Sequence, residues 1–281
     1  MRTAIRSFLR TERMNQLPAG GRKAAAVARI TMRQQMAYKM DFILRSSFLI
    51  LILYVFVQLW SAAYEGDYTR VINGYTLKQI IWYLAFTEAV TMGVPALCMV
   101  IENEVKSGDI ALRLIRPFSY IGYHYAAYMA EAIFRFFIHL AVGGFIAWLC
   151  VGPPSFGLGW AGLFSLTLGA LTIAFLLNMT VALFAFWVEE TRGLEFVLHK
   201  LQFTVGGMLL PLDLMPEPLR KLCAWLPFQA MLYFPARTAV HFSAAMLLQE
   251  LIIQAAWIGV LTAIVLLVYR RGVSRLHVNG G

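Results

Sequence analysis

The sequence has 281 residues, of which 60% are hydrophobic and only 14% are charged. A soluble domain usually carries about 25% charged residues, so this composition argues against a soluble protein and predicts an integral membrane protein. The net charge of +9 fits either nucleic-acid binding or the basic cytoplasmic loops of a membrane protein. The three cysteines form no CxxC pair, which argues against a zinc site or a disulfide framework.

The N-terminal region is basic and precedes the first long apolar run. It holds two amphipathic stretches on either side of Pro18-Ala19-Gly20-Gly21, with arginines at four-residue spacing in the first and methionines at four-residue spacing in the second. These residues are Arg2, Arg6, Arg10, Met32, Met36 and Met40. Such stretches are typical of helices on a membrane surface, although the first could equally be a disordered basic tail. We expect a basic extension over 1–21 and one transmembrane domain over 22–281, without a cleaved signal peptide.

Six apolar runs are long enough for membrane-spanning helices, which need about 20 residues. The predicted spans are 46–64, 80–100, 126–150, 160–188, 194–212 and 245–269. From Leu140 to Val188, 49 residues contain no charged residue and no histidine, and Gly152-Pro153-Pro154 divides this stretch into two spans. The predicted fold class is therefore an all-α integral membrane protein with six transmembrane helices.

The distribution of Lys and Arg predicts the orientation. With the N-terminus inside, sixteen Lys and Arg residues fall in cytoplasmic segments and five in outer segments. This bias matches the positive-inside rule, so we expect both termini in the cytoplasm and interpret the net charge as topological rather than as a sign of nucleic-acid binding.

The loop after the second span, IENEVKSGDIALRLIRP, is unusually polar for this chain. Ser107-Gly108-Asp109 predicts a turn and a helix start, with Asp109 accepting hydrogen bonds from the following turn. Pro117 ends the short helix. The loop is either a solvated connection with positive-inside arginines or an ordered docking surface for a soluble partner.

Ionisable residues inside spans are costly and are candidates for function. Glu88 lies near the middle of the second span, close to Thr91. It could mark a substrate path or a subunit seam, or it could be a protonated glutamate that fastens two helices. Glu131 and Arg135 lie at i and i+4 of the third span, where an internal ion pair near the cytoplasmic boundary is the other interpretation.

The segment 211–243 contains five prolines and is too broken to span a membrane. Two short helices that dip into the outer leaflet would satisfy its backbone, and they could form an outer gate; a folded loop outside the membrane is the alternative. No GxxxxGK[ST], GxSxG or HExxH motif occurs in the sequence, so we expect neither a nucleotide site nor a catalytic site in this chain.

Two sets of motifs resemble ABC-2 type exporter permeases. The first is Glu104-Val105-Lys106-Ser107-Gly108 followed by Leu114-Ile115-Arg116-Pro117-Phe118, and it is similar to that family's cytoplasmic loop. The second is Gly206 to Leu212 with the Met215-Pro216, Leu226-Pro227-Phe228 and Phe234-Pro235 steps that follow. The likeness covers about residues 25–272 and implies a helix along the membrane before the first span, a coupling helix in the loop and outer re-entrant helices.

The resemblance also implies partners. In the family, the coupling helix sits in a cleft of a separate ATP-binding cassette subunit, which binds the ATP and Mg²⁺, so this chain would hold no cofactor. The implied ATPase contacts are Glu102, Glu104, Lys106, Ser107, Gly108, Asp109, Arg113 and Arg116. A second permease, the same chain or a related one, would complete the transporter in lipid, and the expected location is a bacterial inner membrane.

The expected function is export of an amphipathic or hydrophobic substrate, driven by the separate ATPase. Two alternatives stay open: a non-transporting membrane scaffold that recruits a soluble partner, and a membrane enzyme that acts on lipid. The long uncharged run argues against the enzyme, which would need convergent polar groups within the spans.

Overall fold

The computed structural model describes residues 19–37, 39–115 and 119–276. Residues 1–18, which hold most of the predicted basic extension, lie outside the described residues, as do Arg116, Pro117 and Phe118 of the predicted coupling loop. The described chain is almost entirely helical, which confirms the all-α fold class. Its helices are α1 (Ala19–Ala37), α2 (Lys39–Ala63), α3 (Leu77–Gly93), α4 (Leu97–Lys106), α5 (Asp109–Leu114), α6 (Tyr120–Val151), α7 (Gly159–Leu183), α8 (Arg192–Val205), α9 (Glu217–Ala224), α10 (Phe228–Met231), α11 (Tyr233–Val240) and α12 (Ala244–Leu276).

Short elements complete this part of the chain. Strands β1 (Val71–Ile72) and β2 (Tyr75–Thr76) form a hairpin immediately before α3. Single turns of 3₁₀ helix cover Phe184–Phe186 and Leu212–Leu214. We call the end of the bundle that carries α5 the α5 end, and the opposite end, which carries β1 and β2, the hairpin end.

Five segments of the described chain are long and apolar enough to cross a membrane. They are Ser46–Ala63, Leu77–Lys106, Tyr120–Val151, Gly159–Phe186 and Ala244–Arg275. The predicted span 194–212 differs, because its helix α8 covers only 14 residues and ends at Val205. At about 1.5 Å per residue this helix is roughly 21 Å long, shorter than the ~30 Å apolar core of a bilayer. A sixth crossing therefore stays a prediction.

The predicted second span is two helices rather than one. Thr76 and Gln79 form a capping box that starts α3, and the helix ends at Gly93. The chain is extended at Val94, and Pro95 has no N–H to offer a continuing helix, so α4 begins at Leu97.

Helix α3 lies at the centre of the bundle, packed against α2, α6 and α11. Small residues allow α6 to approach it closely: a Cβ on Gly93 would lie 3.3 Å from the Ala132 carbonyl oxygen of α6, and one on Gly143 of α6 would lie 3.7 Å from the Ala85 carbonyl oxygen of α3. Helix α7 is buried in a similar way against α11 and α12, whereas α2 and α12 expose apolar side chains along much of their length.

The residues between α8 and α12 fold back into the bundle. We call 206–241 the broken segment. Its helices α10 and α11 are buried against α7, and α11 also contacts α3. The Tyr83 hydroxyl donates to the Gly207 carbonyl oxygen, and the Thr87 hydroxyl donates to that of Met208 at 3.2 Å. Side chains of α3 thus satisfy the irregular backbone, as burial in an apolar environment requires.

Candidate functional site at the α5 end

Glu102 joins α4 to the start of α8. Its Oε2 accepts hydrogen bonds from the Thr191 backbone N–H at 2.8 Å and from the Thr191 hydroxyl at 2.7 Å. Its Oε1 accepts a hydrogen bond from Lys106 at 2.7 Å, one helical turn further along α4. Because Thr191 immediately precedes α8, this carboxylate fixes where α8 begins relative to α4.

Glu104 joins three helices. Its Oε2 accepts a hydrogen bond from the Tyr120 hydroxyl at 2.9 Å and lies 3.1 Å from Nε2 of His124, both on α6. Its Oε1 lies 3.0 Å from a guanidinium nitrogen of Arg113, on α5. Only 8% of the Glu104 side chain is exposed, so this ion pair is shielded from water and weakened less by salt than a surface pair.

Aromatic contacts connect the Glu104 cluster, which is Glu104 with Arg113, Tyr120 and His124, to α12. The Arg113 guanidinium lies 4.8 Å from the centre of the Tyr123 ring, and Tyr120 stacks on Tyr269 of α12 with ring centres 5.8 Å apart. Burial disfavours the charged form of Arg113, but a hydrogen bond to Tyr123 and the charge of Glu104 outweigh it and raise the pKa of the guanidinium. A displacement of α5 would therefore displace α4, α6 and α12 through these contacts.

This geometry corrects two predictions. Glu102 and Glu104 were expected to face basic groups of a partner, but they are 5% and 7% exposed and bind groups of their own chain. Asp109 was expected to cap α5, but it is the first residue of that helix: the left-handed Gly108 precedes it, and its N–H donates to the Ser107 hydroxyl at 3.4 Å. The sequence offered no local signal for Thr191, Tyr120 or His124, because the hydrogen bonds that they make to the two glutamates join helices far apart in the chain.

The outward side of α5 offers a mixed polar and apolar surface. Leu112 is 60% exposed and Ile115 is 81% exposed, whereas Ile110 of the same helix is buried in the core. We call Leu112 and Ile115, together with the partly exposed Lys106 and the exposed Asp109, the α5 surface. Ser107 and Gly108 are exposed beside it.

A second feature is a pocket of about 340 Å³ between the break after α3 and the outer face of α8. Its lining includes Thr91, Pro95, His199, Lys200 and Gln202. Of the predicted path residues, Thr91 lines this pocket and Glu88 does not.

Glu88 lies one turn before Thr91 on α3 and is fully buried, and neither carboxylate oxygen has a hydrogen-bond partner among the residues that the structure describes. Glu131 and Arg135 form the i, i+4 ion pair that was one of the two interpretations of their spacing. Neither residue lines the pocket. Arg135 also donates a hydrogen bond to Gln35 of α1 at 3.4 Å.

Comparison with known proteins identifies the family. A family model described as ABC-2 family transporter protein matches residues 48–280. The chain belongs to this family. The search of curated proteins found no match.

The match to the ABC-2 family covers α3 to α12, including the broken segment, and it begins inside α2, so α1 precedes it. The protein is thus a membrane protein of a transporter family of the permease type. Within the described part of this ABC-2 chain, no group of three or more His, Cys, Asp or Glu residues is arranged to hold a metal ion.

Proposed function

We propose that this chain is the permease subunit of an ABC-2 exporter and that a separate ATP-binding cassette subunit docks on the α5 surface. One observation carries the proposal: α5 turns exposed apolar side chains outward at Leu112 and Ile115 while its inner side is fixed to α4 and α6 through Glu104 and Arg113. A solvated turn needs neither feature. A helix that receives a push and passes it on needs both.

The mechanism follows from the contacts that Glu102 and Glu104 make between helices. When two ATPase subunits close on ATP, their shift would move α5, and the buried carboxylates of Glu104 and Glu102 would carry that shift to α6 and α8. The ATPase favours one access state because it binds that state more tightly, which is all that a ligand can do to a conformational equilibrium. ATP and Mg²⁺ stay with the partner, and this chain performs no covalent chemistry.

Helix lengths support placing the α5 end in the cytoplasm. α6 has 32 residues and α12 has 33, so they are roughly 48 and 50 Å long, against an apolar bilayer core of ~30 Å. The excess fits at the α5 end, where α6 carries Glu131 and Arg135 and α12 ends among arginines. Both termini would then lie in the cytoplasm, and the home of the protein would be a bacterial inner membrane.

We propose that the substrate path runs beside α8. Thr91 on α3 lines the pocket, and Glu88 lies one helical turn before it. Helix α8 exposes Phe196 and Leu201, which a second permease would cover. A pocket with apolar walls and a few polar groups suits an amphipathic or hydrophobic substrate. The second permease would be another copy of this chain or a related one.

The test is a pair of charge substitutions on the α5 surface. Leu112→Arg combined with Ile115→Arg should abolish co-purification of an ATP-binding subunit from the native membrane, because the arginines place charge in an apolar contact. Leu158→Arg is the matched control: Leu158 is 68% exposed but lies just before α7, at the hairpin end.

The results separate the alternatives. If the ATPase yield with the double arginine variant equals that of the parent, the α5 surface is not the docking site. If no ATPase accompanies the parent even after mild crosslinking, the chain is a scaffold or an enzyme rather than an exporter subunit.

A further inference from the structure

The pocket beside α8 receives polar groups from two directions as well as its apolar walls. Lys200 and Gln202 of α8 line one side, and Pro95 and Ala96, which lead into α4, line another. Its volume of about 340 Å³ lies within the range of small-molecule sites, roughly 300–1,000 Å³. The polar groups therefore indicate which class of ligand the pocket can hold.

Helix α4 begins at this pocket without a side-chain cap. Ala96 occupies the capping position, and its methyl group cannot accept a hydrogen bond. The Leu97 N–H is bonded to the Pro95 carbonyl oxygen at 2.9 Å, so the donors left over belong to the next residues of this ten-residue helix. A helix N-terminus carries unsatisfied N–H groups and a partial positive charge. An anion in the pocket would interact favourably with both.

Lys200 brings a full positive charge to the same pocket. Its ammonium lies 5.2 Å from the centre of the Phe196 ring and 5.9 Å from that of Phe203, and it forms no ion pair within the described residues. Lys200 is the ninth residue of α8, so it lies about 12 Å along the helix from Arg192. A cation this far along an apolar helix normally faces a cavity or a partner charge. Aromatic rings thus position this one at the pocket without neutralising it.

Gln202 provides independent evidence for a ligand. It lines the pocket, is only 6% exposed, and its Nε2 has no hydrogen-bond partner among the described residues. A buried donor without an acceptor is costly. The terminal torsion of glutamine is broad, so the amide can turn toward an acceptor in the pocket. A ligand oxygen would supply the partner that the fold lacks.

Glu195 is the one carboxylate among the described residues that line the pocket. It forms no ion pair with Lys200, which lies five positions further along α8. At about 100° per residue, the two positions are roughly 140° apart around the helix. Glu195 therefore opposes an anion from one side of the pocket but does not cancel the charge of Lys200.

Resting on the proposed exporter function, we propose that this pocket selects substrates with an anionic head, such as a phosphate, joined to an apolar body. The head lies between the start of α4 and Lys200 and accepts a hydrogen bond from Gln202. The apolar body lies against Phe203 and Leu232, which also line the pocket. A small free anion would leave these apolar walls uncovered, so an amphiphile fits the pocket better.

The test measures binding of dodecyl phosphate to the purified permease by titration calorimetry. Neutral detergent is kept at one concentration, and heats from protein-free micelles are subtracted. The parent should bind dodecyl phosphate about tenfold more tightly than dodecylphosphocholine, whose head adds a positive charge, because hydrogen bonds to charged groups contribute about that factor. Dodecyltrimethylammonium and inorganic phosphate should bind more weakly than dodecyl phosphate.

Variants of the pocket should change this affinity in opposite directions. Lys200→Met should weaken binding about tenfold, because it removes the charged donor. Glu195→Gln should strengthen binding severalfold, because it removes the opposing charge. Gln202→Leu should weaken binding severalfold yet keep or raise the unfolding midpoint of the free protein, since it removes an unpaired buried donor. Lys221→Met is the matched control: Lys221 is 73% exposed on α9, so the same change of net charge occurs outside the pocket and should leave the affinity as in the parent.

Three results would overturn the proposal. Equal affinities of Lys200→Met and Lys221→Met would show that Lys200 holds no anionic head. Parent affinities for the phosphocholine or trimethylammonium probe that equal the affinity for dodecyl phosphate would show that the charge of the head is not selected. Inorganic phosphate binding as tightly as dodecyl phosphate would show that the apolar walls hold nothing. No ATPase is present in these titrations, so their outcome is independent of whether the α5 surface docks one.

Discussion

Glu102 and Thr191 lie 89 residues apart in the sequence and share two hydrogen bonds, one to the backbone N–H of Thr191 and one to its hydroxyl. We predict that Glu102→Ala lowers the free energy of unfolding by about 1–3 kcal/mol, because it leaves the buried N–H without its acceptor. Glu102→Gln keeps one acceptor oxygen and should cost less. The measurement is the midpoint of unfolding of the purified protein in detergent.

Glu190 provides the matched control for this prediction. It is an exposed glutamate adjacent to Thr191. Glu190→Ala should therefore change the free energy of unfolding by no more than about 0.5 kcal/mol. If Glu102→Ala behaves like Glu190→Ala, the two hydrogen bonds do not hold α8 in place.

Gly162 is expected to tolerate no side chain. A Cβ at this position would lie 2.5 Å from Thr238 of α11, so Gly162→Leu must push the broken segment away from α7 and should cost about 1–3 kcal/mol through overpacking. At Gly259 of α12 a Cβ would meet nothing within 4 Å. Gly259→Leu should therefore be neutral or stabilising, since leucine is the better helix former. Equal midpoints for the two variants would contradict the close contact of α7 with α11.

The sequence predicted what depends on local pattern. Apolar length placed five long helices, and Pro153-Pro154 marked a break where the structure has one. The break at Pro95 was not predicted, because the second span was expected to be a single helix over 80–100. Length alone misjudged α8, because Gly207 takes a left-handed conformation with φ of 78° and the chain leaves the helix while its residues are still apolar.

The candidate site was less predictable for a physical reason. Charges in the loop were visible, but the direction of each side chain depends on distant partners: Thr191 turns Glu102 inward, and His124 and Tyr120 turn Glu104 inward. The Asp213, Arg237 and Glu250 cluster likewise forms only when the broken segment folds back onto α12. A periodic pattern along one helix contains no information about such pairs.

Glu88 should be dispensable for folding. Its carboxylate is fully buried and makes no hydrogen bond within the described residues, so an apolar residue of similar volume should be neutral or stabilising. We predict that Glu88→Leu keeps or raises the unfolding midpoint, whereas Glu104→Leu, which breaks a hydrogen-bonded cluster, lowers it. A substrate-path role would appear separately as reduced transport by a fully stable Glu88→Leu variant. A clear loss of stability in this variant would instead identify a glutamate that fastens helices.

His241 should make stability depend on pH. Its ring packs edge-on against Tyr75 with centres 4.5 Å apart, and burial together with the nearby charge of Arg237 lowers its pKa below the ordinary 6.5. The folded protein therefore keeps the ring neutral at a pH where the unfolded chain already binds a proton. The resulting contribution to stability is complete above pH 6.5 and is lost as the pH falls through the folded pKa.

We expect acidification from pH 7.5 to 5.5 to lower the unfolding midpoint of the parent more than that of His241→Gln, which cannot titrate at this position. Asp213, Arg237 and Glu250 face the same region and are present in both proteins, so the difference between the two pH profiles isolates the histidine. His199→Gln removes an exposed histidine of α8 and should leave the profile of the parent unchanged. If the His241→Gln profile is as steep as that of the parent, His241 is not kept neutral by its surroundings, and the acid sensitivity must come from the carboxylates around Arg237.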